Sequence, residues 1–127
     1  MKQYPVALLA LLASSCAYHY SIGVQKDGPA QESATLVSDF SFDIAEIDGV
    51  GFKEKFNFSA VGTNTIRLPP GRHTVKFKYC ECSLNSQRWT EGFLYVSREM
   101  EAGRKYRMKM VTIDRRHAKF EIVEASP

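Results

Sequence analysis

Two segments of the chain alternate strictly between hydrophobic and polar residues. Residues 73–79 read His-Thr-Val-Lys-Phe-Lys-Tyr, and residues 105–110 read Lys-Tyr-Arg-Met-Lys-Met. Successive side chains of a β-strand point to opposite faces of the sheet, so a period of two is typical of a strand with one buried face. Each segment therefore predicts a strand that buries its apolar row and turns its row of cations toward solvent.

Other short segments rich in β-branched and aromatic residues are separated by turn residues. They are residues 34–37, 40–44, 56–60, 65–68, 89–96 and 118–122. Asp48-Gly49, Pro69-Pro70-Gly71 and Ala102-Gly103 are the clearest turn signals between them. Residues 97–102 are the one candidate helical turn.

About seven strands at this spacing predict an all-β fold, a small antiparallel β-sandwich over residues 34–127. The alternation also predicts which side chains fill its core. We expect these to include Phe77, Tyr79, Tyr106, Met108, Phe120 and Ile122.

The first 15 residues have a different character. A lysine precedes an unbroken apolar run over residues 6–13, and small residues follow, which is the order of a secretory signal peptide. Residues 13–16, Ala-Ser-Ser-Cys, resemble a bacterial lipobox, which implies that Cys16 is lipidated and becomes the first mature residue. The alternative is ordinary secretion with cleavage after Ala17.

Residues 17–23 have no sustained period, and residues 26–33 are polar and turn-rich. Residues 16–33 therefore predict the lipid-bearing cysteine followed by a flexible tether that reaches on the order of 20 Å. In bacterial lipoproteins, aspartate directly after the cysteine commonly causes retention in the inner membrane. Ala17 occupies that position, so the resemblance implies a lipid anchor on the periplasmic face of the outer membrane. A secreted or soluble periplasmic protein is the alternative location.

Composition restricts the class of protein but does not identify its function. The chain has 127 residues, of which 44% are hydrophobic and 24% charged, as expected for one globular domain. The formal net charge of +3 is mild, and we expect no nucleic-acid partner because such proteins normally carry a concentrated basic stripe.

The two predicted rows of cations suggest a binding surface. The rows consist of Lys76, Lys78, Lys105, Arg107 and Lys109. If both strands belong to one sheet, the five side chains form one patch that attracts an anionic envelope surface, such as lipid headgroups, lipopolysaccharide or an acidic polymer. The alternative is a solvated outer face with acidic neighbours.

Sulfur-containing residues offer a second hypothesis. Cys80 and Cys82 have a spacing at which thiolates bind soft metals, which would make the chain a metal- or redox-handling protein. On an extended strand their Cα atoms lie roughly 6.5–7 Å apart, so a disulfide requires a distorted backbone. The pair is otherwise two small strand residues. The alternation of Met108 and Met110 predicts core packing rather than copper binding.

Sequence motifs of enzymes are missing. The chain contains no Gly-x-Ser-x-Gly and no His-Glu-x-x-His, and Gly49-Val50-Gly51 is too short for a dinucleotide-binding loop. Its histidines, His19, His73 and His117, are widely separated in sequence. We therefore expect a protein that is not an enzyme and needs no cofactor.

Three segments resemble a known type of domain. Residues 45–49 (Ala-Glu-Ile-Asp-Gly), 68–79 (Leu-Pro-Pro-Gly-Arg-His and the strand after it) and 102–107 (Ala-Gly-Arg-Lys-Tyr-Arg) resemble hairpins of small proteobacterial lipoproteins and PEGA-like domains. The resemblance implies an immunoglobulin- or transthyretin-like sandwich without catalytic residues. We therefore predict a non-enzymatic binding or assembly module whose partner is another envelope protein or an anionic surface.

Overall fold

Two β-sheets sandwich one hydrophobic core in the computed structural model, which describes residues 17–25, 28–51, 63–112 and 117–125. Sheet A contains, in spatial order, β1 (Ala17–Ser21), β5 (Thr63–Leu68), β2 (Ala34–Ser38), β9 (Lys105–Thr112) and β10 (Ala118–Glu124). Sheet B contains β4 (Val50–Gly51), β3 (Phe42–Ile47) and β6 (Gly71–Ser83), and β6 also pairs with β7 (Ser86–Trp89) and β8 (Leu94–Met100). The predicted all-β sandwich is confirmed.

Most neighbouring strands run antiparallel, as predicted. Two pairs in sheet A are parallel: β1 with β5, and β2 with β9. Strand β6 organises sheet B, because its first part lies between β3 and β8, while its last residues pair with β7.

The core lies between the sheets and draws on both. Its buried residues are Ala34, Leu36, Phe42, Ile44, Ile47, Ile66, Leu68, Val75, Phe77, Met100, Tyr106, Met108 and Ile122. Of the six predicted core residues, four are buried, whereas Tyr79 and Phe120 are half-buried and pack against the core. Their rings lie 5.0 Å apart, and each also contacts Phe42, so aromatic packing closes this end of the sandwich.

The predicted turns form where the sequence places them. Asp48 and Gly49 join β3 to β4 with φ angles of 53° and 79°, as a two-residue type I′ hairpin requires at both central positions. Strand β5 ends at Leu68, and β6 begins after the two prolines at Gly71, whose φ is 134°.

The helical turn predicted over residues 97–102 is wrong. Strand β8 runs to Met100, and its residues pair in register with β6 from Gly71 to Phe77. Alternate side chains of β8 pack toward the core, which outweighs the helix-forming tendency of Glu99, Met100 and Ala102. The single strand predicted over residues 89–96 is divided between β7 and β8.

Much of the segment predicted to be a tether is folded onto sheet A. Residues Ala17–Ser21 form β1, and Tyr20 and Ile22 pack against the core. The segment that follows contains a 3₁₀ turn at Ala30–Glu32. The guanidinium of Arg67 holds this segment, and Gly103 N donates a 2.9 Å hydrogen bond to Ser33 O at its end.

Arg67 makes hydrogen bonds to several successive points of that segment. It donates to the carbonyl oxygens of Gly28 (2.8 Å), Pro29 (3.2 Å) and Gln25 (3.4 Å), and to the hydroxyl of Ser33 (2.9 Å). A planar guanidinium with five N–H groups is suited to such multiple bonding. In the described part of residues 17–33, the chain therefore forms strand β1 and a loop that hydrogen bonds hold against the domain.

The predicted signal peptide (1–15), Cys16 and the alternating segment 56–60 lie outside the described residues. Within the described residues, no helix has both the length and the apolar character needed to span a bilayer.

Candidate functional site

The two rows of cations lie on different sheets. Lys76 and Lys78 belong to β6 in sheet B, whereas Lys105, Arg107 and Lys109 belong to β9 in sheet A. Because both strands bury their apolar rows in the same core, the rows face outward on opposite sides of the sandwich. The single five-residue patch predicted from the sequence is therefore not formed.

The row on sheet B has aromatic neighbours, and we call Lys76, Lys78, Phe93 and Tyr95 the Phe93 cluster. The Nζ atoms of Lys76 and Lys78 lie 4.5 Å and 4.8 Å from the centroid of the Phe93 ring. Ammonium groups at this distance are attracted by the electrons of the ring, typically by about 0.5–1 kcal/mol at an exposed site. The contacts hold two flexible lysines beside an exposed aromatic surface.

The aromatic residues of the cluster are unusually exposed for their size. Phe93 is 45% exposed, and Tyr95, which lies opposite Lys76 in the β6–β8 pairing, is 65% exposed. The reason is that residues 93–96, Phe-Leu-Tyr-Val, are all apolar or aromatic. Leu94 and Val96 pack against the core, so the alternation of the strand sends Tyr95 outward.

Acidic residues of β3 lie on the other side of the lysine row. Glu46 is 3.8 Å from Lys76, and Asp43 lies opposite Lys78 in the β3–β6 pairing. The outer face of sheet B therefore changes along its width from carboxylates to lysines to aromatic rings. Such a face presents both charge and apolar area to a partner.

Cys80 and Cys82 are joined by a disulfide. Their Cα atoms lie 5.2 Å apart, which is closer than in an extended strand and within the range for disulfides. The strand changes its hydrogen-bonding partners here: Tyr79 N donates to Thr90 Oγ1, and Cys80 N donates to Ser41 O. Since disulfide sulfurs are not thiolates, metal binding by this pair stays a prediction for the reduced protein.

A second polar site ties two turns together. The Nδ1 atom of His73 lies 2.5 Å from an Asp48 carboxylate oxygen, and its Nε2 atom lies 2.6 Å from the Pro69 carbonyl oxygen. The second carboxylate oxygen accepts a 2.8 Å hydrogen bond from Thr74 N. His73 is buried, and both of its ring nitrogens are occupied by protein groups. This arrangement fixes the turns and leaves neither nitrogen directed at a substrate.

The other candidate residues are spread over the sandwich. His19 is exposed on β1, and His117 is exposed just before β10. Met108 is buried, as predicted, while Met110 is half-buried. Among the residues that the structure describes, no group of three or more His, Cys, Asp or Glu side chains is placed to hold a metal ion.

Comparisons of the chain with protein-family models, with curated proteins and with solved structures found no match.

Sequence reasoning identified Lys76 and Lys78 but missed Phe93 and Tyr95. A signal was present, because four consecutive apolar residues cannot all face one side of a strand. The pairing of Asp48 with His73 was also missed, since the two residues are 25 positions apart.

Proposed function

We propose that this chain is a non-enzymatic binding or assembly module held by a lipid on Cys16 at the periplasmic face of the outer membrane. The observation that carries the proposal is the Phe93 cluster. Aromatic residues are enriched where proteins meet, and they dominate binding energy when a partner covers them. The lysines beside them favour a partner with an acidic surface, through electrostatic complementarity. Another envelope protein with acidic and apolar surface fits this face best.

The lipobox resemblance carries the anchoring part of the proposal. Ala17, the first residue of β1, directly follows Cys16, the residue that the lipobox resemblance marks for acylation. The resemblance to PEGA-like domains rests on three segments of the sequence. Two of the segments that carry it, the Ile-Asp-Gly turn and the Pro-Gly-x-His turn, meet in the bond between Asp48 and His73.

The partner is tested by photo-crosslinking in the native envelope. A photoreactive amino acid at position 95 should give a discrete adduct, and the same substitution at Lys105, exposed on the opposite face, should not. The double variant Lys76→Glu, Lys78→Glu should reduce the adduct from position 95 severalfold. Equal adducts from positions 95 and 105 would contradict a partner site at the Phe93 cluster.

Anchoring is tested on the mature protein. Mass spectrometry should find an acylated N-terminal cysteine, and the protein should fractionate with the outer membrane. Cys16→Ser should release it from the membrane fraction. A soluble protein whose mature chain starts at Tyr18 would support the secreted alternative.

A further inference from the structure

The start of β1 fixes where a lipid on Cys16 would sit relative to the folded domain. Ala17 lies opposite Thr63 in the pairing of β1 with β5, at one end of sheet A. Consecutive Cα atoms are about 3.8 Å apart, so a lipid attached one residue before Ala17 would be held close to that end. The acyl chains would therefore start at the edge of the sandwich, which limits how far the domain can move from the bilayer.

The same end of the sandwich carries a projecting hairpin. Next to Thr63 on β5, Asn64 lies opposite Ser38 at the end of β2. Three residues later, Ser41 O accepts a 2.8 Å hydrogen bond from Cys80 N. The pairing of β1, β5 and β2 and this short crossing between the sheets thus place Cys80 at the Ala17 end of the domain.

Beyond Cys80 the chain leaves the body of the sandwich. The pairing of β3 with β6 stops at Tyr79, and residues 80–83 pair with β7, from Cys80 opposite Trp89 to Ser83 opposite Ser86. We call residues 80–89 the β6–β7 hairpin. At about 3.3 Å per residue, its tip lies roughly 13 Å past Cys80.

The side chains of the hairpin suit the interface of a bilayer. Leu84, at the tip, is fully exposed, Arg88 is exposed, and Trp89 is half-buried at the base. Tryptophan favours the headgroup level of membranes. Arg88 lies opposite the exposed Glu81, so a membrane contact of the hairpin rests on Leu84 and Trp89 rather than on charge. One exposed leucine is ordinary on a protein surface, but this one lies past the end of sheet A at which β1 begins.

We propose that the β6–β7 hairpin is a second membrane contact, in which Leu84 enters the headgroup region of the phospholipid bilayer that holds the lipid on Cys16. The inference rests on the proposed anchoring at Cys16. The anchor keeps the hairpin at high local concentration beside the bilayer, so a weak contact is sufficient. The contact fixes the orientation of the domain, with the Ala17 end toward the membrane and the outer face of sheet B to the side.

The test uses the single tryptophan of the chain as a probe. In the double variant Trp89→Phe, Leu84→Trp the only tryptophan is at the tip. In the matched control Trp89→Phe, Tyr95→Trp it is on the outer face of sheet B. Both lipidated proteins are reconstituted in vesicles of phosphatidylethanolamine and phosphatidylglycerol with a brominated phosphatidylcholine. Circular dichroism confirms that each variant is folded.

The tip probe should emit at shorter wavelength and be quenched by the brominated lipid, whereas the control probe should be unaffected. An acylated protein whose tip probe is not quenched would overturn the hairpin contact and leave the anchoring intact. A mass without acyl chains would overturn the anchoring, and the inference with it. A third outcome is a blue shift that increases with protein concentration while the brominated lipid does not quench the probe. It would indicate that a second copy of the chain, and not lipid, covers the hairpin, and it would also overturn the inference.

Discussion

The buried His73 and the exposed Asp48, 25 positions apart in the chain, link two turns, with 2.5 Å between Nδ1 and the carboxylate oxygen. Asp48 has a positive φ in its hairpin, and its other carboxylate oxygen accepts a hydrogen bond from Thr74 N. One side chain therefore holds both the histidine and the backbone of β6. Through Pro69 O, the histidine also holds the turn that precedes β6.

Removing the imidazole should destabilise the fold. In His73→Ala the Asp48 carboxylate and the Pro69 carbonyl lose a partner, and a buried space is left behind. Loss of hydrogen bonds to a charged group and incomplete repacking together predict a decrease of about 2–4 kcal/mol in the free energy of unfolding. Urea denaturation measures it. His19→Ala, at an exposed position of β1, is the matched control and should change stability by less than about 0.5 kcal/mol.

Replacing Arg67 should free the loop between β1 and β2. Arg67→Lys keeps the charge but loses the fork, in which Nε bonds Ser33 Oγ and Nη1 bonds Gln25 O while Nη2 bonds Gly28 O. We expect both Arg67→Lys and Arg67→Ala to be cleaved faster by protease within residues 22–33, with the larger effect for alanine. Thr65→Ala, on the same strand and the same face, is the control. Unchanged cleavage in Arg67→Ala would show that backbone pairing, through β1 and the bond from Gly103 N to Ser33 O, holds the segment without the guanidinium.

Stability should fall at alkaline pH in a way that depends on Tyr79. Burial, reinforced by the negative charges of Asp39 and Glu81, raises the pKa of Tyr79 above its ordinary value of 10.0. The folded state then holds the Tyr79 proton more tightly than the unfolded state does. The stability that the protonated tyrosine contributes is therefore present below pH 10.0 and is lost as the pH rises through the folded pKa. Tyr79→Phe should lose less stability than the wild type as the pH rises through 10.0 and above.

The comparison is made by urea denaturation at several pH values in that range. Tyr95→Phe is the control, because Tyr95 is mostly exposed. If Tyr79→Phe and the wild type lose the same stability over the range, ionisation of Tyr79 does not contribute to alkaline unfolding.

Opening the disulfide should affect the β6–β7 hairpin more than the sandwich. Cys80 and Cys82 enclose only Glu81, and so short a loop restricts the unfolded chain by about 1–2 kcal/mol. In the variant Cys80→Ser, Cys82→Ser, hydrogen exchange should accelerate at the amides of Ser86 and Trp89 much more than in the core part of β6. Loss of cooperative unfolding in this variant would contradict a local role.

The alternation of apolar and polar residues was sufficient to predict which side chains of a strand are buried, but not which sheet each strand joins. Alternation placed Phe77 and Tyr106 in the core and Lys76 and Arg107 outside, because the period of a strand fixes which side chains share a face. It contains no information on which strands pair. Strands β6 and β9 have the same pattern, yet long-range pairing puts them in opposite sheets.

Local chemistry predicted the turns well and the edge strands poorly. Asp48-Gly49 and Pro69-Pro70-Gly71 act through their own backbone preferences, which tertiary contacts do not change. Strand β1 has a mixed sequence, and pairing with β5 is what makes it a strand. The glutamates near Met100 favour a helix in isolation, but pairing with β6 overrides that preference.

Strand β6 also has a mechanical consequence. Its 13 residues run without interruption from Gly71, beside the buried histidine, to the base of the Leu84 turn. Antiparallel hydrogen bonds lie perpendicular to their strands, so a pull along β6 loads its bonds to β3 and β8 in shear, many at once. A force applied at the tip is therefore resisted by both β3 and β8 at once, and the strand does not unzip one bond at a time.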